Sequence, residues 1–372
     1  MKISMRSIQV KTASADYPVF VQPALLSRLA SHVRFACGEQ QSVFVVTSPE
    51  IWALWGEAFR ASFAAKNIEV ITLFVSPGER HKRLATVERL AEQLSRVGAK
   101  RDALLVALGG GVVGDMAGFL AAIYMRGIRY VQVPTTYLAQ IDSSLGGKTG
   151  VNLRIGKNLL GCFYHPTAVF SDPAILSTLP PRELRAGIVE SVKAAVLGDV
   201  RFFAWLERNL DKLLAGDEKV LTQAIKTSVR IKAEIVSADE RESGQRMLLN
   251  LGHTVGHAIE AATHYNHLLH GEAVAWGMLA AIHLSVARST LCAKEAARIE
   301  ELTFRLGPFP RFRASANAML ERTSADKKHL QNVHRFVLPT AIGHATVVED
   351  VSQNELMAAI QSMLRVVRER GV

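Results

Sequence analysis

The 372-residue sequence predicts an α/β domain followed by a helical domain. In the first half, short apolar runs typical of buried strands alternate with segments whose apolar residues recur at helical spacing. From Pro180 onward the patterns are mostly long and helical, and the proline-rich segment 172–181 separates the two halves. Alternating β and α elements build parallel sheets with helices on both faces. We therefore expect a Rossmann-like parallel-sheet domain at 1–178 and an all-α domain at 179–372.

The individual elements follow from local patterns. Each predicted strand is a short apolar run, and each predicted helix carries apolar residues at helical spacing, one of them stopping at Gly98. The predicted strands are 42–46, 69–75, 104–108 and 130–133, and the predicted helices of the first half are 49–65 and 84–97. The second half is predicted to contain helices at 182–197, 219–236, 251–264 and 271–291.

Composition excludes several classes of protein. Hydrophobic residues make up 49% and charged residues 21%, which is typical of a globular chain. Cys37, Cys162 and Cys292 are far apart and form no CxxC pair, which favours a reducing, cytoplasmic environment. The apolar segment 103–125 contains Asp115 and several glycines, so we expect a strand, a turn and a helix there and no membrane span.

The net charge of +10 indicates an anionic partner. The basic residues are dispersed, no run of five or six like charges occurs, and only 7% of residues are aromatic. This distribution disfavours nucleic acid and favours a small anionic molecule. A basic nucleic-acid-binding protein remains an alternative, which a steep salt dependence of DNA binding would support.

A glycine-rich turn follows the predicted strand 104–108. The residues from Gly109 to Gly114, GGGVVG, match the GxGxxG pattern, in which glycines let the backbone approach a pyrophosphate at a helix N-terminus. The usual acidic residue about 20 positions later is missing, and Asp115 comes directly after the last glycine. A dinucleotide site and a plain turn that packs a helix onto the sheet both fit this pattern.

A second glycine segment, DSSLGGKT at 142–149, ends like a phosphate-binding P-loop. Asp142 stands where that motif requires glycine, which disfavours an ATPase. Lys148, flanked by glycines, and the nearby pair Lys157-Asn158 are consistent with an anion pocket. A solvated basic turn is the alternative interpretation of each lysine.

Histidines and one carboxylate suggest a metal site. His253 and His257 are four residues apart, so they share a helix face, and His270 precedes the next predicted helix. Glu190 lies on an apolar helix, where an unpaired charge would be costly to bury. A metal bound by two histidines and one carboxylate would satisfy Glu190 and leave a coordination position for substrate.

Together, these segments resemble the 3-dehydroquinate synthase family, in the order and spacing that the family shows. The matching segments are PGERHK (77–82), GGGVVGDMAGFLAAIYMRGI (109–128), VPTTYLAQIDSSLGGKTGVN (133–152), GKNLLGCFYHP (156–166), LPPREL (179–184), ADERESGQRMLLNLGHTVGHAIE (238–260), HGEAVAWGM (270–278) and DKK (326–328). The resemblance implies a dehydroquinate synthase-like fold and a carbon–oxygen lyase acting on a sugar-acid phosphate.

The implied reaction converts 3-deoxy-D-arabino-heptulosonate 7-phosphate to 3-dehydroquinate and phosphate, a step of the shikimate route to chorismate and the aromatic amino acids. It proceeds by transient oxidation with NAD, elimination of phosphate, re-reduction and intramolecular aldol closure. The resemblance also implies zinc as the metal, with cobalt as a substitute, and a homodimer. From the cysteines, the dispersed charge and the segment 103–125 we expect a cytoplasmic protein with no nucleic-acid or membrane partner.

The resemblance further implies roles for individual residues. The metal ligands would be Glu190, His253 and His270. The NAD contacts would be Glu79, Lys82, Gly110, Gly111, Asp115, Thr135 and Thr136, with Lys157 nearby. The substrate phosphate would be bound by Arg126, in its own subunit or across a dimer, with Lys148, Asn158 and one of Lys327 or Lys328. The substrate carboxylate would be bound by Lys232 and Arg246, and the catalytic contacts to hydroxyls and protons would be Asp142, Lys193, Asn250 and His257.

Two related activities are the alternatives. Another sugar-phosphate cyclase, of the 2-deoxy-scyllo-inosose or valiolone type, would act on a substrate without a carboxylate, whereas Lys232 and Arg246 favour one with a carboxylate. A metal-dependent alcohol or glycerol dehydrogenase would consume NAD stoichiometrically. The chain departs from the family pattern after Lys193, at Val255 and after Lys328, and none of these departures replaces a proposed metal or substrate contact.

Overall fold

A computed structural model of the chain describes residues 6–264, 267–325 and 335–372. The strands are β1 (Ile8–Lys11), β2 (Asp16–Val21), β3 (Ser42–Thr47), β4 (Glu69–Phe74), β5 (Leu104–Gly109), β6 (Arg129–Pro134), β7 (Lys148–Leu153), β8 (Gly156–Phe163), β9 (Ala168–Ser171), β10 (Phe336–Ala341) and β11 (His344–Val348). The helices are α1 (Leu29–Cys37), α2 (Pro49–Ala64), α3 (Leu84–Arg96), α4 (Gly111–Ile123), α5 (Pro181–Gly198), α6 (Val200–Leu214), α7 (Glu218–Ala238), α8 (His253–Ala262), α9 (His270–Ala287), α10 (Ala293–Arg305), α11 (Ala316–Ala325) and α12 (Gln353–Arg370).

The described residues form two compact units. The first comprises the residues up to Pro180 together with Glu218–Arg241, and the second comprises Pro181–Asp217 together with the described residues from Glu242 to Val372. The sequence predicted a single division at 178/179, whereas α7 belongs by its contacts to the first unit. Its buried face packs on β1 and on the helical turn Ala139–Ser143. Periodicity shows that a helix has an apolar face but not which domain that face contacts.

A seven-stranded sheet organises the first unit, in the order β1-β2-β9-β6-β5-β3-β4. All neighbouring pairs are parallel except β1 and β2, which form an antiparallel edge. Successive side chains of a strand face opposite sides of a sheet. In β3, accordingly, Val43 and Val45 join one buried cluster while Phe44 and Val46 join the other. The predicted parallel sheet with helices on both faces is confirmed.

The sequence missed the β7–β8 hairpin of the first unit, whose residues it treated as a turn with basic side chains. The two strands pair antiparallel, with Lys148 opposite Phe163. Gly150 and Gly161 face each other so closely that a Cβ atom on Gly161 would lie 2.0 Å from the carbonyl oxygen of Thr149. Close backbone contact, rather than apolar alternation, therefore defines this hairpin.

In the residues that the structure describes, the regular elements of the second unit are helices apart from the β10–β11 hairpin. Its central helix, α9, is buried on almost every side and packs against α5, α8, α10 and α12. Glycines allow the closest approaches, because a Cβ atom on Gly277 would lie 2.0 Å from the carbonyl oxygen of Gly252. No helix among the described residues combines the length and the apolar character needed to cross a membrane.

Candidate metal centre and anion-binding residues

Glu190, His253 and His270 come together in the second unit. Glu190 lies in the middle of α5, while His253 and His270 are the first residues of α8 and α9. His253 Nε2 and His270 Nε2 lie 3.8 Å and 3.9 Å from the same Glu190 atom, Oε1. One ligand atom from each residue falls within 4.8 Å of the others, which is close enough for a common ion bound at about 2.0–2.2 Å.

Hydrogen bonds at the far side of each ring orient the two histidines. His253 Nδ1 lies 3.2 Å from the Leu251 carbonyl oxygen, and His270 Nδ1 lies 3.3 Å from Glu260 Oε2. When Nδ1–H donates a hydrogen bond to a carbonyl or carboxylate, the proton stays on Nδ1 and Nε2 keeps a lone pair for a metal. Glu260, only 5% exposed, is thus a carboxylate partner of a proposed metal ligand that the sequence analysis missed.

The buried carboxylate of Glu190 tests most directly whether these residues fit a metal ion. Its side chain is 2% exposed, and Oε1 accepts no hydrogen bond from the described residues. The other oxygen, Oε2, lies 2.5 Å from the ammonium of Lys193. A buried carboxylate oxygen that faces two imidazole nitrogens without a donor is expected where a cation binds, so the residues present fit a divalent metal.

The environment also sets the charge of the histidines. Burial and the positive charge of Lys193 hold the pKa of His253 well below its ordinary value. Burial opposes protonation of His270 as well, but its hydrogen bond with Glu260 and the charges of Glu260 and Glu190 raise its pKa. His253 is therefore neutral, the form in which a histidine binds a metal, across the physiological range.

The predicted catalytic residues of the second unit surround these donors. Lys193 also donates to the carbonyl oxygen of Leu249, at 2.7 Å. Asn250 donates to Glu242 Oε1 at 2.7 Å, and Glu242 is a further residue that the sequence analysis did not select. The exposed ring of His257 lies 5.5 Å from that of His253 and 6.0 Å from that of His270, between centroids.

In the first unit, the triple glycine forms the predicted turn between β5 and α4, and Gly110 is the N-cap of the helix. A Cβ atom on Gly110 would lie 3.0 Å from Thr136 Cγ2, and one on Gly111 would lie 2.9 Å from Ser143 Oγ. The turn therefore packs tightly, and it also presents the free N–H groups of a helix start at the carboxyl end of a central strand, where α/β folds bind ligands.

The predicted NAD and phosphate residues meet around Lys82. Its ammonium lies 2.5 Å from Asp115 Oδ2 and donates to Asn158 Oδ1. Asn152, which the sequence analysis did not select, joins this group by donating to Glu79 Oε1 at 2.8 Å. Burial raises the pKa of Asp115, and the neighbouring Lys82 ammonium opposes that rise.

A cavity of about 490 Å³ opens after the carboxyl end of β4 in the first unit. Its walls include Phe74, Val75, Pro77 and His81, which lie within five residues of Glu79 in the chain. Thr135, buried just after β6, has a hydroxyl without a hydrogen-bond partner among the described residues. None of the predicted cofactor contacts lines this cavity, which lies beside β4 at one side of the sheet.

The remaining predicted residues are distributed around this edge and beyond it. Lys232 of α7 donates to Asp142, at 2.6 Å to Oδ1 and 2.7 Å to the carbonyl oxygen. Arg126 is exposed on a turn where its own φ is 62°. Lys148 is the first residue of β7 and Lys157 the second of its partner β8, and Arg246 is buried in the second unit. Lys327 and Lys328 lie outside the described residues.

Comparison with known protein families identifies the family of this chain. A model of the 3-dehydroquinate synthase N-terminal region matches residues 72–186, and a model of the C-terminal region matches residues 187–329. This chain belongs to the 3-dehydroquinate synthase family. Its relatives include the 3-dehydroquinate synthases of Koribacter versatilis, 42% identical over 96% of this chain and 98% of the relative, and of Solibacter usitatus, 44% identical over 97% and 100%.

Several solved structures share the fold. The 2-epi-5-epi-valiolone synthase ValA of Streptomyces hygroscopicus, with NAD⁺ and Zn²⁺ bound, is 30% identical with a TM-score of 0.87, over 94% of this chain and 97% of that one. A 2-deoxy-scyllo-inosose synthase with carbaglucose-6-phosphate, NAD⁺ and Co²⁺ is 27% identical with a TM-score of 0.84, over 96% and 99%. A glycerol dehydrogenase of Schizosaccharomyces pombe, at 15% identity and a TM-score of 0.67 over 98% and 92%, shares the fold alone.

Proposed function

We propose that this protein is a 3-dehydroquinate synthase, a lyase that converts 3-deoxy-D-arabino-heptulosonate 7-phosphate to 3-dehydroquinate and phosphate in aromatic amino acid biosynthesis. The observation that carries the substrate assignment is the 42–44% identity with 3-dehydroquinate synthases over nearly the whole of both chains. The corresponding identity is 30% with the valiolone synthase and 27% with the inosose synthase, which are the alternative activities.

The proposed cofactors are NAD and a divalent metal, zinc or cobalt. Glu190, His253 and His270 would hold the metal, which when bound supplies Lewis acidity to a substrate hydroxyl. Bound near the triple-glycine turn, NAD supplies a hydride acceptor and later the hydride donor of the same turnover. The N–H groups of Gly110 and Gly111, with Lys82, Thr135, Thr136 and Lys157, would bind its phosphates. Asp115 would fix Lys82, and Glu79 would be a further NAD contact.

The chain's own cations would bind the two ends of the substrate. Lys148, Asn158 and Arg126, with Lys327 or Lys328, are proposed to bind the phosphate, and Lys232 and Arg246 the carboxylate. Lys232 now donates to Asp142, so binding of the substrate carboxylate would exchange one oxygen partner for another. That exchange would release the Asp142 carboxylate to accept a hydrogen bond from a substrate hydroxyl.

Proton movements are proposed for the residues beside the metal donors. Lys193 and Asn250 are fixed by Leu249 and Glu242, so they would orient substrate hydroxyl groups. His257 is exposed and its ring lies next to those of His253 and His270, which suits exchange of protons with solvent. The net charge of +10 favours association with this doubly anionic substrate.

We also propose that the protein is a cytoplasmic homodimer. The β7–β8 hairpin exposes apolar side chains: Leu153 is 37%, Ile155 84%, Leu159 51% and Phe163 40% exposed. Such a patch on one hairpin is typical of a surface that a second copy covers. Ile155→Asp with Leu159→Asp should convert dimers to monomers in sedimentation, and unchanged sedimentation would refute this interface. The three unpaired cysteines support a reducing compartment.

The decisive experiment measures phosphate release from the heptulosonate phosphate with zinc and with NAD far below the substrate concentration. We expect many turnovers per NAD and formation of 3-dehydroquinate, loss of activity with a chelator, and recovery with zinc or cobalt. Heptose and hexose phosphates without a carboxylate serve as comparison substrates. Faster turnover of one of those would indicate another cyclase, and stoichiometric NADH formation would indicate a dehydrogenase.

A further inference from the structure

An ion pair joins the two helices that carry Glu190 and His270. Arg182, in the first turn of α5, bonds to Glu272, in the first turn of α9. The contact is bidentate, with Nε to Oε1 and Nη2 to Oε2 both at 2.7 Å. Glu272 is 3% exposed, so its charge is buried and depends on this partner.

Glu272 also fixes the backbone around His270. Its Oε2 accepts a hydrogen bond from the N–H of Leu269 at 2.8 Å, which caps the start of α9. Arg182 additionally donates to the carbonyl oxygen of His267 at 3.0 Å. Two residues of the segment that leads into His270, His267 and Leu269, are therefore held by these same two side chains.

The helices touch at the same place. A Cβ atom on Gly271 would lie 1.9 Å from the carbonyl oxygen of Ala186, so the backbones of α9 and α5 are in direct contact next to His270. Ala186 is four residues before Glu190 on α5, which places it one helical turn away. The position of His270 relative to Glu190 is thus set by this contact and by the Arg182–Glu272 pair.

We infer that Arg182 and Glu272 are positioning residues of the metal centre: they hold His270 Nε2 within reach of Glu190 before the metal binds. This inference rests on the metal centre proposed above. A purely structural ion pair would contribute to folding alone, whereas a positioning pair also sets the affinity and coordination geometry of the metal.

The second unit offers a matched control. Arg298 and Glu207 form a bidentate pair of the same geometry, with Nε to Oε1 at 3.1 Å and Nη2 to Oε2 at 2.6 Å, although Glu207 is 28% exposed. This pair joins α10 to α6, and neither helix carries a proposed metal ligand. The test therefore compares Arg182→Met/Glu272→Gln with Arg298→Met/Glu207→Gln. Glutamine at position 272 keeps an oxygen to cap α9, so the first double variant mainly removes the tie to α5.

Three measurements are made on the full-length protein: zinc affinity by chelator competition, the visible absorption spectrum of the cobalt form, and thermal unfolding of the metal-free form. For Arg182→Met/Glu272→Gln we expect zinc affinity to fall about tenfold and the cobalt bands to shift, as for other partners that orient metal ligands. The control should match wild type in both. Arg182→Lys, which keeps the charge but loses the fork, should lie between the two.

The outcomes separate the possible failures. Wild-type zinc affinity and an unshifted cobalt spectrum in folded Arg182→Met/Glu272→Gln would overturn the positioning role. An equal loss of affinity in the control would overturn it as well. If the double variant does not fold without metal, the Arg182→Lys variant is used in its place. An unchanged cobalt spectrum in Arg182→Lys would then refute the inference. If wild type itself binds no stoichiometric zinc, the proposed metal centre fails instead.

Discussion

Two groups of charged residues differ in how their charges are paired. One is the metal-donor cluster of the second unit, formed by Glu190, His253 and His270, and the other is the lysine cluster of the first unit, formed by Lys82 and Lys232 with their carboxylate partners. Glu190 Oε1 faces two imidazole nitrogens at 3.8 Å and 3.9 Å and accepts no hydrogen bond from the described residues. Lys82 and Lys232, in contrast, are already bonded to Asp115 and Asp142. The first arrangement fits a cation, whereas in the second any anionic ligand would have to compete with internal carboxylates.

The largest effect is expected from Glu190→Gln, which removes the charged donor of the cluster. Zinc affinity should fall by more than the roughly 100-fold that loss of an outer partner causes, because a ligand itself is lost. Chelator competition measures this. Glu300→Gln is the matched control, since Glu300 pairs with His283 at 3.1 Å elsewhere in the same unit. Undiminished zinc binding by Glu190→Gln would contradict the ligand set.

The second-largest effect is expected from breaking the ion pair between Lys82 and Asp115. Lys82→Met leaves Asp115 without its cation and should lower the free energy of unfolding by about 3 kcal/mol in urea titrations at pH 8. Adding Asp115→Asn should restore much of that loss. A double variant that is no more stable than Lys82→Met would show that the two side chains are not energetically coupled.

We also expect the stability of the Lys82→Met variant to depend on pH. Burial raises the pKa of Asp115 above its ordinary 3.8, and removal of the opposing ammonium raises it further. The folded state then binds a proton more readily than the unfolded state, so stability falls as the pH rises from about 4 through the raised pKa. Stability of Lys82→Met that increases over this range would contradict the assignment.

A smaller effect concerns ligand binding alone. Lys148→Ala and Arg246→Ala should each weaken substrate binding by about 1.5–3 kcal/mol, the range for hydrogen bonds to charged groups, with NAD affinity nearly unchanged. Substrate KM and NAD titration measure the two. Arg154→Ala, an exposed cation on the same hairpin as Lys148, is the control. A KM equal to that of wild type in either variant would remove that residue from the substrate site.

The smallest expected effect is on stability and concerns the close backbone contact between α5 and α9. In Gly271→Ala the new Cβ meets the Ala186 carbonyl oxygen at 1.9 Å, whereas in Gly256→Ala it meets the Ala273 carbonyl oxygen at 3.2 Å. Gly271→Ala should therefore cost about 1–3 kcal/mol of unfolding free energy in thermal or urea denaturation, and Gly256→Ala less. The reverse order would mean that α5 and α9 separate without cost.

Local patterns in the sequence predicted the sheet and part of the proposed metal centre. The run at 104–108 predicted β5, which is buried on both faces, because only a central parallel strand is apolar throughout. The charge of Glu190 on an apolar helix predicted a buried partner. Glu260, Glu272 and Arg182 were missed as functional residues because their importance arises from distant pairing. The unit to which α7 belongs was missed for the same reason, since its contacts are made far along the chain.

The discontinuous first unit restricts how this polypeptide can be divided. Since α7 covers β1 but is encoded between two stretches of the second unit, the chain passes from one unit to the other after Pro180, Asp217 and Arg241. A fragment that stops at Pro180 lacks the helix α7 that covers β1. A fragment that starts at Pro181 contains the amphipathic helix α7 without the strand on which it packs. Neither half can be excised with a single cut, so gene fusion, truncation and domain exchange with relatives must respect all three junctions.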